Sequence, residues 1–230
     1  MQNIRPNFSR LIAFAIFGVL LVSSVGCSNS SGPPTSTFTV PKAGSTFIFY
    51  SYRIDTAGAI IANTEVSDTD IVIASGSTYQ GRTNVNRFHT NKGGSDIFLN
   101  YETNGDISYY EDNSGKPGTR SGWITIPLGR KGKSTFISFD STIESGLREQ
   151  ETASWTYTGD ATVTFSNHDF HTQTFDTELD RLNGTHDPIQ NYWFAPEIGF
   201  YVKESQQPGL SWNGTRVNGD NSELVSYVLK

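Results

Sequence analysis

Thr152–Ser166, TASWTYTGDATVTFS, alternates without interruption: Ala153, Trp155, Tyr157, Ala161, Val163 and Phe165 hold odd positions, while Ser, Thr and Asp fill the even ones. A period of two sustained over that length describes a strand with one apolar face. A tight hairpin turn at Gly159-Asp160 would pair opposite parities and set Tyr157 beside Thr162. The stretch therefore reads as one long strand bent at Gly159, as strands bend where a sheet curls around its core. Asn167–Asp169 then predicts a turn, and Phe170–Phe175 a returning strand with His171 across from Phe165.

The same period recurs on both sides. Thr46–Ile54 (TFIFYSYRI), Ile71–Ala74, Asn84–His89, Ile97–Glu102, Ile107–Asp112, Gly122–Leu128 and Thr135–Phe139 precede the long strand. Tyr192–Phe194, Ile198–Lys203 and Glu223–Leu229 follow it. Asn104-Gly105 is a strong hairpin signal. A two-residue loop there places Tyr101 opposite Ser108 and Leu99 opposite Tyr110, with apolar groups on both faces. About ten to twelve strands joined by short Gly/Asn/Asp turns predict an all-β antiparallel meander. Its expected form is a curved, half-open or closed barrel, with a two-layer β-sandwich as the alternative. No fixed-period repeat is present.

Before these strands the chain changes character. Arg5 and Arg10 precede an unbroken run, Leu11–Val22, of residues that are apolar or glycine. As a helix those twelve residues rise about 18 Å, short of the roughly 30 Å hydrocarbon core. A basic start, a short apolar run and a small-residue exit are the parts of a secretory signal. Ser24-Val25-Gly26-Cys27 resembles the lipobox of bacterial lipoproteins, with Ser24 where that family prefers Leu. The resemblance implies cleavage before Cys27, acylation of its thiol and a membrane anchor. The other readings are an ordinary signal peptide with a chance cysteine, or a signal anchor. Ser28 stands where many Gram-negative lipoproteins retained at the inner membrane have Asp, which implies the outer membrane in such a host. The expected organisation is a signal peptide over 1–26, lipidated Cys27 with a Ser/Pro/Gly/Thr-rich tether over 27–41, and a single all-β domain over 42–230.

Composition agrees with an exported β protein. Only 17% of the 230 residues are charged, so Ser, Thr, Asn and Gly carry much of the surface. Net charge is −6, and no Lys/Arg cluster interrupts it, which excludes nucleic acid as a partner. The single cysteine excludes an internal disulfide.

YWFAPEIGFYVKE (Tyr192–Glu204) resembles certain bacterial periplasmic lipoproteins in which an unclosed antiparallel barrel wraps an apolar cavity, as in the lipoprotein-carrier proteins of outer-membrane sorting. It resembles in particular uncharacterised lipoproteins with an aromatic-Ala-Pro-x-x-Gly turn, here Phe194–Gly199. The carriers plug their barrel with helices, for which this sequence holds no good candidate.

Catalytic constellations are scarce. His168-x-x-His171 with Asp169, and His186-Asp187, raise the question of a metal, but residues three apart on a strand face opposite ways. They read as a turn histidine and one packed near Phe165. No nucleophile elbow, phosphate-binding glycine loop or twelve-residue calcium loop is present. Glu144, Glu149 and Glu151 read as a solvated loop or short helical turn. No metal or cofactor is expected. The aromatics remain, and Trp155, Tyr157, Phe165 and Trp193 are the expected cavity-lining, ligand-binding residues.

The expected function is a non-enzymatic envelope lipoprotein that binds an apolar or amphiphilic small molecule or an envelope protein. The alternatives are a glycan-acting envelope hydrolase and a surface structural or adhesive module. Oligomeric state is left open.

Overall fold

A computed structural model of the chain describes residues 38–91, 94–112, 118–142, 148–165, 167–182, 184–211 and 214–230. The expected signal peptide, Cys27 and the tether as far as residue 37 lie outside the described residues, as does Glu144. Among the described residues there is no helix.

Twelve strands form one antiparallel sheet. In chain order they begin with β1 (Thr46–Ile54), β2 (Val66–Tyr79), β3 (Arg82–Thr90), β4 (Ser95–Tyr101), β5 (Ile107–Glu111) and β6 (Gly122–Ile126). Then come β7 (Lys133–Thr142), β8 (Arg148–Phe165), β9 (His168–Arg181), β10 (Gln190–Ala195), β11 (Phe200–Gln206) and, last, β14 (Gly219–Val228). Between β11 and β14 a small separate hairpin is made by β12 (Gly209–Leu210) and β13 (Arg216–Val217).

The sheet order is β6-β5-β4-β3-β2-β1-β14-β11-β10-β9-β8-β7. First and last strands are therefore neighbours, and the unpaired edges fall mid-chain at β6 and β7. The result is a nearly closed barrel with one unsealed seam, a single continuous sheet rather than a sandwich. Register shifts within β1–β14, β2–β3, β7–β8, β8–β9 and β10–β11 mark the bulges that curl it. The long strand of the opening stretch is β8, and its irregularity falls between Tyr157 and Gly159.

The seam is bridged in places by other contacts. Near one end Arg120 N–H donates to Ser138 O (2.8 Å) and Asp140 N–H to Gly118 O (2.9 Å). Further along, the Ser134 hydroxyl donates to the Thr125 carbonyl. A Cβ on Gly122 would lie 2.8 Å from the Phe136 ring, and one on Gly118 2.7 Å from the Phe139 ring. Aromatic rings laid on glycine backbone thus stand in for ladder hydrogen bonds.

One end of the barrel is packed shut. Thr39 N–H donates to Pro196 O (3.0 Å), Asn86 Nδ2 donates to Pro41 O (2.5 Å), and Phe38 packs beside Gly105. The tip of the β8–β9 hairpin reaches across to β14, where the Phe170 and His168 rings meet Tyr227. Inside, Phe47, Phe88 and Phe200 stack with centroids 4.7–6.2 Å apart. Among the described residues, the interior is open at the other end.

The structure corrects several registers. Leu99 pairs with Tyr109, Asn100 with Ser108 and Tyr101 with Ile107, so the Asn104-Gly105 connection spans five residues, 102–106. The cause is Asp106, whose buried carboxylate accepts from Gly129 N (2.9 Å), Arg130 N (3.3 Å) and Arg130 Nε (2.7 Å) and so ties this turn to the next. Leu99 and Tyr109 share the inner face. Phe98 and Tyr110 lie outside, where Tyr79 stacks on Phe98 at 3.7 Å. The β8–β9 turn is shorter than expected: Phe165 pairs with His168, and His171 with Thr162, because Asn167 adopts φ 64°. Glu149 and Glu151 lie in β8, not in a loop or helical turn, and pair with Ser141 and Phe139.

The turn Phe194–Gly199 fixes the chain's entry. Ala195 O accepts from Gly199 N (2.9 Å), Gly199 sits at φ 64°, and a Cβ there would fall 1.8 Å from Thr39 O. Gly199→Ala therefore adds a backbone clash to positive-φ strain and is expected to cost roughly 2 kcal/mol or more in urea unfolding. Gly58→Ala (φ 83°, nothing within 4 Å) carries the strain alone and is expected to cost about 1 kcal/mol. Equal losses at the two sites would refute the clamp.

Candidate functional site

The open half of the barrel encloses a cavity of about 720 Å³. That volume lies within the roughly 300–1,000 Å³ of small-molecule sites. It exists because inward side chains stop filling the barrel above one level. Phe200 marks that level: it lines the cavity and packs on Phe47 and Phe88 of the solid half.

The walls follow strand alternation. β4 supplies Ile97 and Leu99, β5 Tyr109, β6 Ile126, β8 Ala153 and Trp155, and β10 Tyr192 and Phe194. Trp155 is the centre of an aromatic group, with Tyr192 at 4.9 Å, Tyr109 at 5.9 Å and Phe194 at 6.1 Å between ring centroids. Its indole N–H donates to the Tyr109 hydroxyl at 3.3 Å. The Tyr192 hydroxyl donates to Glu204 Oε1 at 2.9 Å. Burial pushes the Tyr109 hydroxyl up to about 12. Burial, reinforced by Glu204, raises Tyr192 well above its ordinary value. These hydroxyls stay protonated at neutral pH, so the walls are apolar with a few fixed donors.

The mouth is polar. Arg53 and Asp220, ending β1 and starting β14, lie 3.5 Å apart, and Glu111 ends β5. Behind the cavity wall, Asp70 of β2 is 3% exposed, and its Oδ1 has no hydrogen-bond partner among the described residues. Burial, with the nearby Asp68 charge, raises its carboxyl to about 6, while the Thr90 and Tyr201 hydroxyls pull the other way.

The expected lining residues part company. Trp155 lines the cavity. Tyr157 sits lower on β8, its ring edge-on to buried Phe175 at 5.6 Å and 5.3 Å from Lys131 Nζ, and is not among the lining residues. Phe165, at the closed-end tip of β8, packs against the core away from the cavity. Trp193 lies on the face of β10 opposite Tyr192 and Phe194, with Lys203 Nζ 5.5 Å over its ring. Tyr109, Tyr192, Phe194, Phe200 and Tyr201 line it without having been singled out. The parity of YWF in β10 held the signal, since Tyr192 and Phe194 share the face that Trp193 does not.

Trp123 is outside the barrel, bonded through its indole N–H to Gln80 O (3.1 Å) and edge-on to Tyr79 and Tyr110. His171 is exposed, and the His168 ring packs on Phe170. His89 Nδ1 lies 3.0 Å from Asp96, which Arg87 also holds, outside the cavity. Among the described residues no three His, Cys, Asp or Glu side chains converge as metal ligands.

No protein-family model and no curated protein matches the chain. A solved structure described as a putative lipoprotein from Parabacteroides distasonis ATCC 8503 is similar, with a TM-score of 0.50 and 14% identity, over 84% of this chain and 99% of that one. The hypothetical lipoprotein YmcC from Escherichia coli (K12) aligns at a TM-score of 0.36 and 10% identity, over 82% of this chain and 89% of that one. The likeness to the first is one of fold.

Asp70 makes stability pH-dependent. With its carboxyl near 6 when folded against 3.8 unfolded, the folded state binds this proton more tightly. The stabilisation is complete below 3.8 and lost as pH rises through 6, at most about 3 kcal/mol. Asp70→Asn is expected to be more stable than the parent at pH 8 and to flatten the dependence between pH 4 and 6 in urea unfolding. An unchanged slope would show that the buried carboxyl does not titrate there.

Proposed function

We propose that the protein is a lipoprotein of the bacterial cell envelope, acylated at Cys27, whose barrel binds an apolar or amphiphilic ligand without catalysing a reaction. The cavity carries this reading: aromatic and aliphatic walls, a few fixed hydroxyl donors and one open end are the makings of a small-molecule site. An empty apolar cavity of this size would cost stability, which a bound chain recovers. The address rests on the basic start, the short apolar run and Ser24–Cys27, and the shared fold with a protein described as a lipoprotein is consistent with it. Several acyl chains, each CH₂ contributing about 0.8 kcal/mol when buried, would hold the protein stably on a bilayer. Ser28 directs it to the outer membrane in a Gram-negative cell. The chain enters the barrel at Thr39, by the closed end, so the cavity mouth lies at the end away from that entry.

Mass spectrometry of the protein extracted from its native membrane tests both halves. The expected species begins at acylated Cys27 and retains a small molecule under non-denaturing conditions. Cys27→Ala is expected to lose the lipid mass and leave the membrane. An uncut N-terminus with Cys27→Ala still membrane-bound would mean a signal anchor. A barrel always recovered without a small molecule would argue against the ligand.

A further inference from the structure

The rim of the cavity mouth is not alike on all sides. Ile189 stands between Pro188 and Gln190, which both line the cavity, and Leu210 precedes Ser211, another lining residue. Leu182 follows Arg181, which holds the lining Asp187 at 3.1 Å. Ile60 bridges to Ile54, next to Arg53 of the mouth. These four branched aliphatic side chains are 39–59% exposed. They sit on the connections that join β1 to β2, β9 to β10 and β11 to β14. The strands β2, β1, β14, β11, β10 and β9 are consecutive in the sheet, so the apolar tips occupy one arc of the rim. At the same end on the far side, the connections 91–94 (NKGG) and 112–121 (DNSGKPGTRS) hold no apolar side chain larger than proline.

The outer wall below this arc continues the pattern. Tyr50 of β1 and Val225 of β14 are exposed, and Trp193 of β10 lies outside with Lys203 Nζ 5.5 Å over its ring. Lys203 donates to Glu223 at 2.9 Å, so that charge is matched locally. Indole, phenol and a long amine stem are groups that settle at a membrane–water interface. The chain also enters on this wall: Thr39 is bonded to Pro196, in the turn between β10 and β11, at the closed end. The twelve residues 28–39 that follow Cys27 span at most roughly 40 Å. The six residues of β10, from the mouth to that turn, rise roughly 20 Å. An anchor at Cys27 can therefore hold this wall, rim included, against the bilayer in which it is fixed.

We infer that the barrel lies with its β1–β14–β11–β10–β9 wall on a zwitterionic bilayer surface, with Ile60, Leu182, Ile189 and Leu210 dipping among the headgroups. The cavity mouth then opens at the level where an apolar chain leaves the membrane. The inference rests on the reading that Cys27 is the lipid anchor. A bilayer suits these tips better than a protein does: they are separate aliphatic side chains on loops, without the packed aromatic and arginine centre of a protein interface. The chain's net charge of −6 favours a zwitterionic surface over an anionic one.

The test uses the protein as extracted from its membrane, reconstituted in phosphatidylcholine vesicles, with single nitroxides at Ile60→Cys, Ile189→Cys and Leu210→Cys. Acylation leaves Cys27, the one native cysteine, closed to labelling. Tyr50→Cys reports the wall, and Thr135→Cys, exposed on β7 across the barrel, is the reference. Collisions with oxygen and with a water-soluble nickel complex are read by electron paramagnetic resonance. The rim nitroxides are expected roughly 5–10 Å into the headgroup boundary, the Tyr50→Cys nitroxide at its surface and the Thr135→Cys nitroxide in water. Rim nitroxides as open to nickel as the reference, on protein that carries the acyl mass and floats with the vesicles, would overturn the inference alone. Rim nitroxides at depth with the Tyr50→Cys nitroxide as open as the reference would overturn it too, since the barrel would then stand on its mouth. Rim nitroxides shielded from both reagents would mean contact with a second copy, and would also overturn it. Protein without acyl mass that fails to float would overturn the anchor and this inference together.

Discussion

The pairing of the first strand with the last, Thr46–Ile54 against Gly219–Val228, is the contact on which the rest depends. Without it the twelve strands would form two six-stranded sheets, each with apolar residues on a face exposed to water. With it, the inward parity of every strand converges on one interior. The closure also sets where the sheet ends: β6 and β7, neighbours in sequence, become its two edges. Open edges invite pairing with other chains. Here they are met by Phe136 and Phe139 lying on Gly122 and Gly118, and by a few backbone hydrogen bonds near one end.

Closure alone would yield a tube filled along its whole length. Three features make the two halves different. The entering chain at Phe38–Pro41, the Phe194–Gly199 turn and the tip of the β8–β9 hairpin seal one end, and the Phe47–Phe88–Phe200 stack packs the space beneath them. The bulge in β10–β11 between Trp193 and Phe194 brings Phe200 and Tyr201 both to the interior. Among the described residues, the axis above them is left as the cavity. Cavity and core are thus one structure divided by Phe200, and a ligand there would touch the same rings that hold the barrel together.

Much of this was legible in the residues. The alternation of Thr152–Phe165 identified one long bent strand, and Thr46–Ile54 was delimited by its own pattern. Polar strand segments were not legible: Val66–Asp70 and Asp176–Arg181 have faces that alternate weakly, so β2 and β9 are longer than periodicity suggests. The Asn104-Gly105 register was misleading because a local turn preference lost to a distant tertiary contact, the Asp106 carboxylate held by residues 129 and 130. The site was half legible for a similar reason. Trp155 follows from parity within one strand, but choosing Tyr192 and Phe194 over Trp193 requires knowing which face of β10 turns inward, and that is settled only by its neighbours.

The proposed function requires the open half of the barrel to be an apolar receptacle for a chain-like ligand. The most direct measurement is the position of a brominated ten-carbon alcohol in crystals of the protein, located by the anomalous scattering of bromine. A bromine site is expected inside the barrel, against Trp155, Phe194, Leu99 and Phe200. Bromine found only on the outer aromatic group of Tyr79, Phe98 and Trp123, with the interior closed by side chains, would contradict it.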